Sequence, residues 1–207
     1  MSILTPLESL PSKDTTLIGD RIVLKPMKEE YADELFQVQN DSIWDWMFLG
    51  PYNNVEQYRS DLKSNSENNG IVSFVVVDKA TDKKIGQLNY INIVPKNRTI
   101  ELGSIWYSPE YHRTYANSES VLLALTHAFE VLGYRRVEWK CDSRNEKSKA
   151  AAQKLGFTFE GLFRQHMIIK GNSRDTSWFS IIDSEWPSIK LALQERITRN
   201  NLIHKNN

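Results

Sequence analysis

Residues Glu101 to Ser118 combine the elements from which proteins commonly build an anion-binding site. The run reads Glu-Leu-Gly-Ser-Ile-Trp-Tyr-Ser-Pro-Glu-Tyr-His-Arg-Thr-Tyr-Ala-Asn-Ser, and it predicts a strand, a short polar turn and the start of a long helix. The first backbone N–H groups of a helix have no acceptor within the helix, and the helix dipole adds partial positive charge there. His112 and Arg113 lie in the turn, and Asn117 or Ser118 can cap the helix. The pattern therefore predicts that an anion binds at this turn.

The composition limits the class of protein to which the chain can belong. It has 207 residues, of which 40% are hydrophobic and 25% charged, as in a soluble globular domain with a substantial core. Its 26 basic and 26 acidic residues cancel. This balance argues against direct binding of nucleic acid, because affinity for a phosphate backbone needs an excess of Lys and Arg on one face.

Metal, disulfide and membrane chemistry are not expected. Cys141 is the single cysteine, and the four histidines lie far apart without the spacing of metal ligands. The longest apolar runs, such as Ile71–Val77, have the length of a strand and are too short to span a bilayer. The N-terminal residues lack the basic and apolar regions of a secretory signal. We therefore expect a cytoplasmic protein without a metal or a membrane partner.

The order of predicted elements indicates an α/β domain of three layers with a mixed sheet. A strand at 21–25 is followed by helices at 29–40 and 54–68, strands at 71–78, 84–94 and 98–107, a helix at 117–132, a strand at 136–142, a helix at 145–155, a hairpin at 157–170 and 174–182, and a helix from about 183. Short connections between the three middle strands predict an antiparallel meander. We assign residues 1–20 to an N-terminal arm, 21–198 to one domain and 199–207 to a C-terminal tail.

This order, together with several local motifs, resembles the GNAT superfamily of acyl-CoA-dependent N-acyltransferases. The likeness is greatest to its RimJ/RimL-type branch, the ribosomal-protein N-terminal acetyltransferases. The matching segments are Glu101–Gly103 with Trp106–Pro109, His112–Glu119, Asn145–Ser148 leading to Lys154–Phe157, Glu160–Arg164, and Arg174–Thr176. Each segment is weak alone, but their order and spacing together are specific. The resemblance implies a GNAT-like α/β/α domain whose mostly antiparallel sheet is splayed between the fourth and fifth predicted strands.

One position departs from the pattern of the superfamily. Its phosphate turn usually reads Gln or Arg, two residues, Gly, one residue, then Gly or Ala. Counted from His112, the glycine position is Tyr115 and the last position is Asn117. Glycine serves there because its backbone approaches a pyrophosphate without an intervening side chain. The ring of Tyr115 must therefore point away from the phosphates, or the turn binds the cofactor less closely.

The resemblance implies acetyl-CoA as the co-substrate and assigns residues to its parts. The pantetheine arm would bond to the backbone of Ile105, Trp106 and Tyr107. The pyrophosphate would meet the turn and helix start, formed by His112, Arg113, Thr114, Tyr115, Ala116, Asn117 and Ser118. At about 3.3 Å per strand residue, the path from Gly103 to the turn is on the order of 20 Å, comparable with the arm. The thioester would then lie near residues 102–105.

Transfer from a thioester to an amine needs a base for the amine and a proton for the departing thiolate. Glu101 lies on the same side of its strand as Gly103 and is the candidate base, directly or through water. The alternative is a surface carboxylate paired with Lys or Arg. Ser148 matches the hydroxyl that family members place near the thioester sulfur, with a helix-surface serine as the alternative. Asn145 is predicted to cap that helix, and the resemblance adds a contact with pantetheine.

Other candidates are weaker. Gly103 permits a strand bulge or the close approach of the cofactor, or is an ordinary strand glycine. Trp44, Trp46, Met47 and Phe48 lie where the family forms one wall of its acceptor groove, although such a cluster is more often core.

The leading hypothesis is an N-acetyltransferase that moves an acetyl group directly from acetyl-CoA to an amine in a ternary complex. The acceptor is either a protein N-terminus or a small molecule. The competing hypothesis is a non-catalytic module that binds acyl-CoA on the same fold. The acceptor, the length of the acyl chain and a homodimeric state stay open.

Overall fold

Eight strands form one mixed sheet in the order β1-β2-β3-β4-β5-β6-β8-β7 within the part of the chain that the computed structural model describes. That part comprises residues 5–7 and 10–205, with side chains described up to residue 199. The strands are β1 (Leu17–Ile18), β2 (Ile22–Pro26), β3 (Val72–Asp78), β4 (Lys84–Val94), β5 (Thr99–Tyr107), β6 (Arg136–Asp142), β7 (Thr158–Ile169) and β8 (Asn172–Ile182). Neighbouring strands are antiparallel except for the parallel pair β5 and β6.

Helices cover both faces of this sheet, as the three-layer prediction requires. They are α1 (Ala32–Val38), α2 (Val55–Glu67), α3 (Tyr115–Thr126), α4 (Glu146–Lys154) and α5 (Trp186–Lys205). On β3, Phe74 and Val76 pack into the larger core beneath α3 and α5, while Val75 and Val77 pack into a second core beneath α1 and α2. A strand buried on both faces reads as a continuous apolar run rather than an alternating one. The predicted α/β/α class is confirmed.

Several boundaries differ from those predicted, and for two of them the reason is local. The sheet begins earlier than residue 21, because Leu17 and Ile18 pair with β2. The helix after the polar turn begins at Tyr115, and neither Asn117 nor Ser118 caps it. Thr114 is the cap, since its backbone is extended and its hydroxyl accepts a hydrogen bond from the N–H of Ala116 at 3.2 Å.

The turn between β7 and β8 is also shorter than predicted. Lys170 and Gly171 both have positive φ, at 49° and 77°, so two residues suffice to reverse the chain. Asn172 and Ser173 therefore belong to β8 rather than to the turn.

The division into arm, domain and tail stays a prediction. Residues 1–4, 8–9 and 206–207, which belong to the predicted arm and tail, lie outside the described residues. Among the helices that are described, none combines the length and the apolar character needed to cross a bilayer.

The burial of His127 predicts that the stability of the fold depends on pH. It extends α3 by one wide turn and is buried, with Nδ1 3.2 Å from the hydroxyl of Tyr90. Burial lowers the pKa of His127 below its ordinary value of 6.5. The unfolded chain then binds a proton that the folded chain does not, so the free energy of unfolding should fall as the pH drops below about 6.5.

We expect His127→Asn to weaken this dependence. Urea unfolding of both proteins between about pH 7.5 and 5 measures it, because stability that depends on pH reflects groups whose pKa differs between the folded and unfolded states. The wild-type protein should lose more stability than the variant over this range. Equal losses would show that burial of His127 contributes nothing to the acid sensitivity of the fold.

Candidate active site

A cleft opens between β5 and β6 because the two strands pair over only part of their length. Thr99–Glu101 pair with Arg136–Glu138, and the strands then diverge. On its other edge β5 remains paired with β4 as far as Tyr107. The backbone of β5 beyond Glu101 therefore has no strand partner on the side of β6. This is the splay predicted between the fourth and fifth strands, which are β5 and β6 here because the short β1 precedes them.

A β-bulge lies in β5 where the cleft begins. Gly103 is opposite Asn89, whereas Trp106 is already opposite Gln87, so two residues of β5 face one residue of β4. Ser104 has φ of 49°, which is typical of such an irregular position. A Cβ on Gly103 would come within 2.4 Å of Cδ1 of Ile91, so a larger residue there would require the Ile91 side chain to move. Of the alternatives for Gly103, the structure shows the bulge.

The side chains after the bulge belong to the protein core rather than to the cleft. Trp106 is buried in the core beneath α1 and α2, and Tyr107 in the core beneath α3. Ile105 is half-buried and packs against the latter. Only the backbone of these three residues can therefore serve a ligand that lies along β5.

The polar turn lies where β5 ends, at the mouth of the cleft. His112 and Arg113 are exposed, and Nε2 of His112 lies 3.0 Å from the carbonyl oxygen of Tyr107. Thr114 satisfies the N–H of Ala116 alone, and the other N–H groups in the first turn of α3 have no helical acceptor. Asn117 is half-buried in this turn and Ser118 is buried. The turn therefore offers backbone donors and the positive end of a helix dipole to an anion.

Tyr115, at the position usually held by glycine, is directed away from the cleft. Its hydroxyl donates a hydrogen bond to Asp78, at the end of β3, and the guanidinium of Arg21 lies 4.4 Å from the centroid of its ring. Asp78 lies in β3 and Arg21 just before β2. In the sheet, β2 and β3 lie on one side of β5 and β6 lies on the other. Burial and the neighbouring carboxylate of Asp78 raise the pKa of Tyr115. The tyrosine therefore leaves the phosphate side of the turn open, and the turn fits a diphosphate.

Glu101 lies at the closed end of the cleft, where the pairing of β5 and β6 stops. It is 4% exposed, and its Oε2 is 2.8 Å from Nζ of Lys140 and 2.6 Å from the Asn92 amide that donates to it. The carboxylate is thus paired with a lysine, but within the sheet rather than on the surface. Its Oε1 makes no hydrogen bond to the described residues and lies 3.7 Å from the Cβ position of Gly103. This oxygen is available to accept a proton beside the bulge.

Ser148 and Asn145 lie at the start of α4, which packs against β6. The side chain of Asn145 accepts a hydrogen bond from the N–H of Ser148 at 3.0 Å, which confirms the predicted helix cap. The Ser148 hydroxyl accepts a hydrogen bond from the indole of Trp139 at 3.0 Å. The hydroxyl of Ser148 also interacts with the thiol of Cys141, so it can act as a hydrogen-bond donor. Ser148 is half-buried against β6 rather than on an open helix surface.

A cavity of about 760 Å³ lies over β4, on the face of the sheet that carries α1 and α2. Cross-strand partners project to the same face, so Glu101, opposite Ile91, and Gly103, opposite Asn89, share this face with the cavity floor. The cavity is lined mainly by aromatic and aliphatic side chains, with amides on the floor. Its lining includes Trp44, Met47, Phe48, Tyr52, Tyr58, Gln87, Asn89, Asn92, Ser104 and Met167.

The cavity corrects and extends the sequence analysis. Of the cluster predicted between the first helices, Trp44, Met47 and Phe48 line it, whereas Trp46 lies beside the guanidinium of Arg144 instead. The sequence analysis did not predict the amide floor formed by Gln87 and Asn89. The signal for it was two amides at alternate positions of a mostly apolar strand, which places both on one face.

Comparison with known proteins agrees with this geometry. The family described as the acetyltransferase (GNAT) domain matches residues 21–158. The crystal structure of a GCN5-related N-acetyltransferase from Brucella melitensis is 38% identical, superposes with a TM-score of 0.88, and covers 93% of this chain and 88% of that one. The N-acetyltransferase p20 of Bacillus licheniformis is 29% identical over 178 residues, covering 83% of this chain and 98% of its own. The ribosomal-protein-serine acetyltransferase of Escherichia coli is 25% identical over 181 residues, covering 83% and 99%.

The chain therefore belongs to the GNAT acetyltransferase family. It is an N-acetyltransferase, as the sequence motifs predicted, and the family uses acetyl-CoA.

Proposed function

We propose that this protein transfers an acetyl group from acetyl-CoA directly to an amine, with both substrates bound at once. The observation that carries the proposal is the position of Glu101. Its unbonded oxygen lies beside Gly103, at the point where the β5–β6 cleft and the cavity over β4 meet. One substrate in the cleft and another in the cavity would therefore converge on the bulge of β5.

The residues of the cleft divide into those that hold the cofactor and those that handle protons. The free backbone edge at Ile105 to Tyr107 would bond to the pantetheine arm. The turn from His112 to Ser118 would hold the pyrophosphate, and Asn145 would contact the arm from α4. When bound, acetyl-CoA supplies an acetyl group activated as a thioester.

Two side chains would move protons during the transfer. Oε1 of Glu101 accepts a proton from the acceptor amine, while Lys140 and Asn92 hold the other carboxylate oxygen in place. The Ser148 hydroxyl, fixed by the indole of Trp139, donates to the thiolate that leaves. General acid–base groups of this kind contribute about 10²- to 10⁴-fold to a rate.

The acceptor is an amine that fits the cavity over β4. The name of the Escherichia coli relative places its acceptor on a ribosomal protein, so a protein N-terminus is one candidate and a small-molecule amine the other. A cytoplasmic location and a homodimeric state stay predictions.

The proposal is tested with the purified protein, acetyl-CoA and a panel of amines and peptides. Release of free thiol that depends on the acceptor supports acetyl transfer. Calorimetry with CoA distinguishes the competing hypothesis, since binding without turnover across the panel would indicate a non-catalytic module. If CoA does not bind, both functions are excluded.

A further inference from the structure

The cavity over β4 carries a single charged side chain among the described residues that line it. This is Asp61 on α2, which is half-buried. No ion pair involves Asp61 in the described chain, although that chain forms many elsewhere. Its neighbour is Tyr52, whose pKa is raised by burial and by a hydrogen bond to the Asp61 carboxylate. The cavity therefore presents one negative charge without a cation to balance it.

Aromatic rings surround the wall that carries this carboxylate. The centroids of Trp44 and Tyr52 are 4.9 Å apart, those of Tyr52 and Tyr58 5.1 Å, and those of Trp44 and Tyr58 6.0 Å. The rings are inclined to one another by 54° to 85°. Tyr52 is half-buried, whereas Trp44 and Tyr58 are 4% and 2% exposed, so Tyr52 presents most of the accessible ring surface. A ring face attracts an ammonium group through its quadrupole, and a nearby carboxylate adds a charge of the opposite sign. This wall has the chemistry of a site for an organic cation.

The floor of the cavity supplies a second acceptor. Asn89 is 3% exposed, and its side-chain oxygen has no hydrogen-bond partner in the described chain. The neighbouring amide of Gln87 is occupied, because it accepts from Tyr58 and donates to the carbonyl oxygen of Ser104 at 3.1 Å. Buried acceptors are rarely left without a donor, so the Asn89 oxygen is available to accept a hydrogen bond from a ligand, such as that of the reacting amine. Asn89 faces Gly103 across the strand pair, close to the proposed site of transfer.

From these observations we infer that the acceptor carries two nitrogen groups joined by an apolar body. The reacting amine lies on the floor, beside Asn89 and Glu101. The second group is an ammonium held at the wall by Asp61 beside the ring of Tyr52, which Trp44 and Tyr58 hold in place. The acceptor class is therefore an aliphatic or aromatic diamine. This inference rests on the proposed function, because it places the reacting amine at Glu101.

Matched amines of equal chain length test the inference. We would use 1,6-diaminohexane and hexylamine with the wild-type protein, with Asp61→Asn, and with Glu56→Gln as the control. Glu56 lies on the same helix but is exposed and does not line the cavity. Thiol release gives kcat/KM for each amine, and calorimetry without acetyl-CoA gives the affinity for the diamine.

We expect the wild-type enzyme to prefer the diamine by about tenfold or more in kcat/KM, the effect of one hydrogen bond to a charged group. In Asp61→Asn the preference should fall to near one and the affinity for the diamine about tenfold. Glu56→Gln should keep both at wild-type values.

The outcomes separate this inference from the proposed function. Absence of diamine binding to the wild-type protein, or equal affinity in wild type and Asp61→Asn, overturns the inference whether or not thiol is released. Binding that depends on Asp61 but yields no thiol with any amine supports the cation site and counts against acetyl transfer.

Discussion

Replacing Glu101 with glutamine should lower kcat by about 10²-fold or more while the KM for acetyl-CoA changes little, since a general base contributes about 10²- to 10⁴-fold. The substitution keeps the shape and the hydrogen bond from Asn92, but an amide oxygen cannot take the proton of an ammonium. The cofactor would be bound mainly by backbone groups farther along β5 and at α3, so its affinity should not depend on Glu101. Steady-state kinetics with saturating acceptor measure both quantities.

Glu138→Gln provides the matched control. Glu138 pairs with the same Lys140 at the same distance of 2.8 Å, so this variant removes an equal charge from the same cluster. Burial opposes the charge of Glu138, but hydrogen bonds from Lys140 and Arg136 outweigh it and lower the pKa of this carboxyl. A structural role shared by the two carboxylates would give similar losses in both variants. A catalytic role for Glu101 requires that Glu138→Gln lose far less, less than about tenfold.

Placing a carboxylate in the first turn of α3 should raise the KM for acetyl-CoA about 10- to 100-fold, which corresponds to roughly 1.4 to 2.8 kcal/mol of binding. The variant is Asn117→Glu. Asn117 lies three residues after the cap Thr114, in the turn where a diphosphate would meet the backbone amides. A negative side chain there competes for those amides and repels the phosphates.

The same substitution should not harm the fold, which separates a binding effect from misfolding. Threonine at the cap and glutamate three residues later form a capping box, and an acidic residue in the first turn also complements the helix dipole. We expect Asn117→Glu to be as stable as the wild type or more so in urea unfolding. Asn117→Gln, with similar length and no charge, should keep a KM within about threefold of wild type. If both variants bind acetyl-CoA like the wild type, the phosphates do not lie at this turn.

Local patterns in the sequence accounted for most of the fold. β4 and β6 have their predicted bounds, because β-branched and aromatic runs between clear turn residues define a strand without reference to its neighbours. The errors occurred at the boundaries of elements. Thr114, rather than Asn117 or Ser118, caps α3 because only its hydroxyl meets an amide of the first turn. Two residues with positive φ closed the β7–β8 turn where three were expected.

The same local patterns predicted only part of the candidate site. Spacing along the chain placed Glu101 and Gly103 on one face of a strand and the polar turn at its end, since both depend on residues that are close in sequence. The salt bridge from Lys140 to Glu101 joins residues on different strands, and its partners are fixed by the parallel register of β5 and β6. No periodicity within either strand specifies that register.

By itself, the sequence determined the class of this protein: an α/β domain with a strand, a polar turn and a helix suited to an anion, followed by the motifs of an acetyltransferase. These features are local, and backbone geometry makes them readable from residue types and spacing. Only the tertiary structure decided that Tyr115 points to Asp78 rather than into the cleft, and that the amides of β4 meet Asp61 and three aromatic rings around one cavity. These contacts join segments distant in the chain, and packing of the helices on the twisted sheet determines which of their side chains meet.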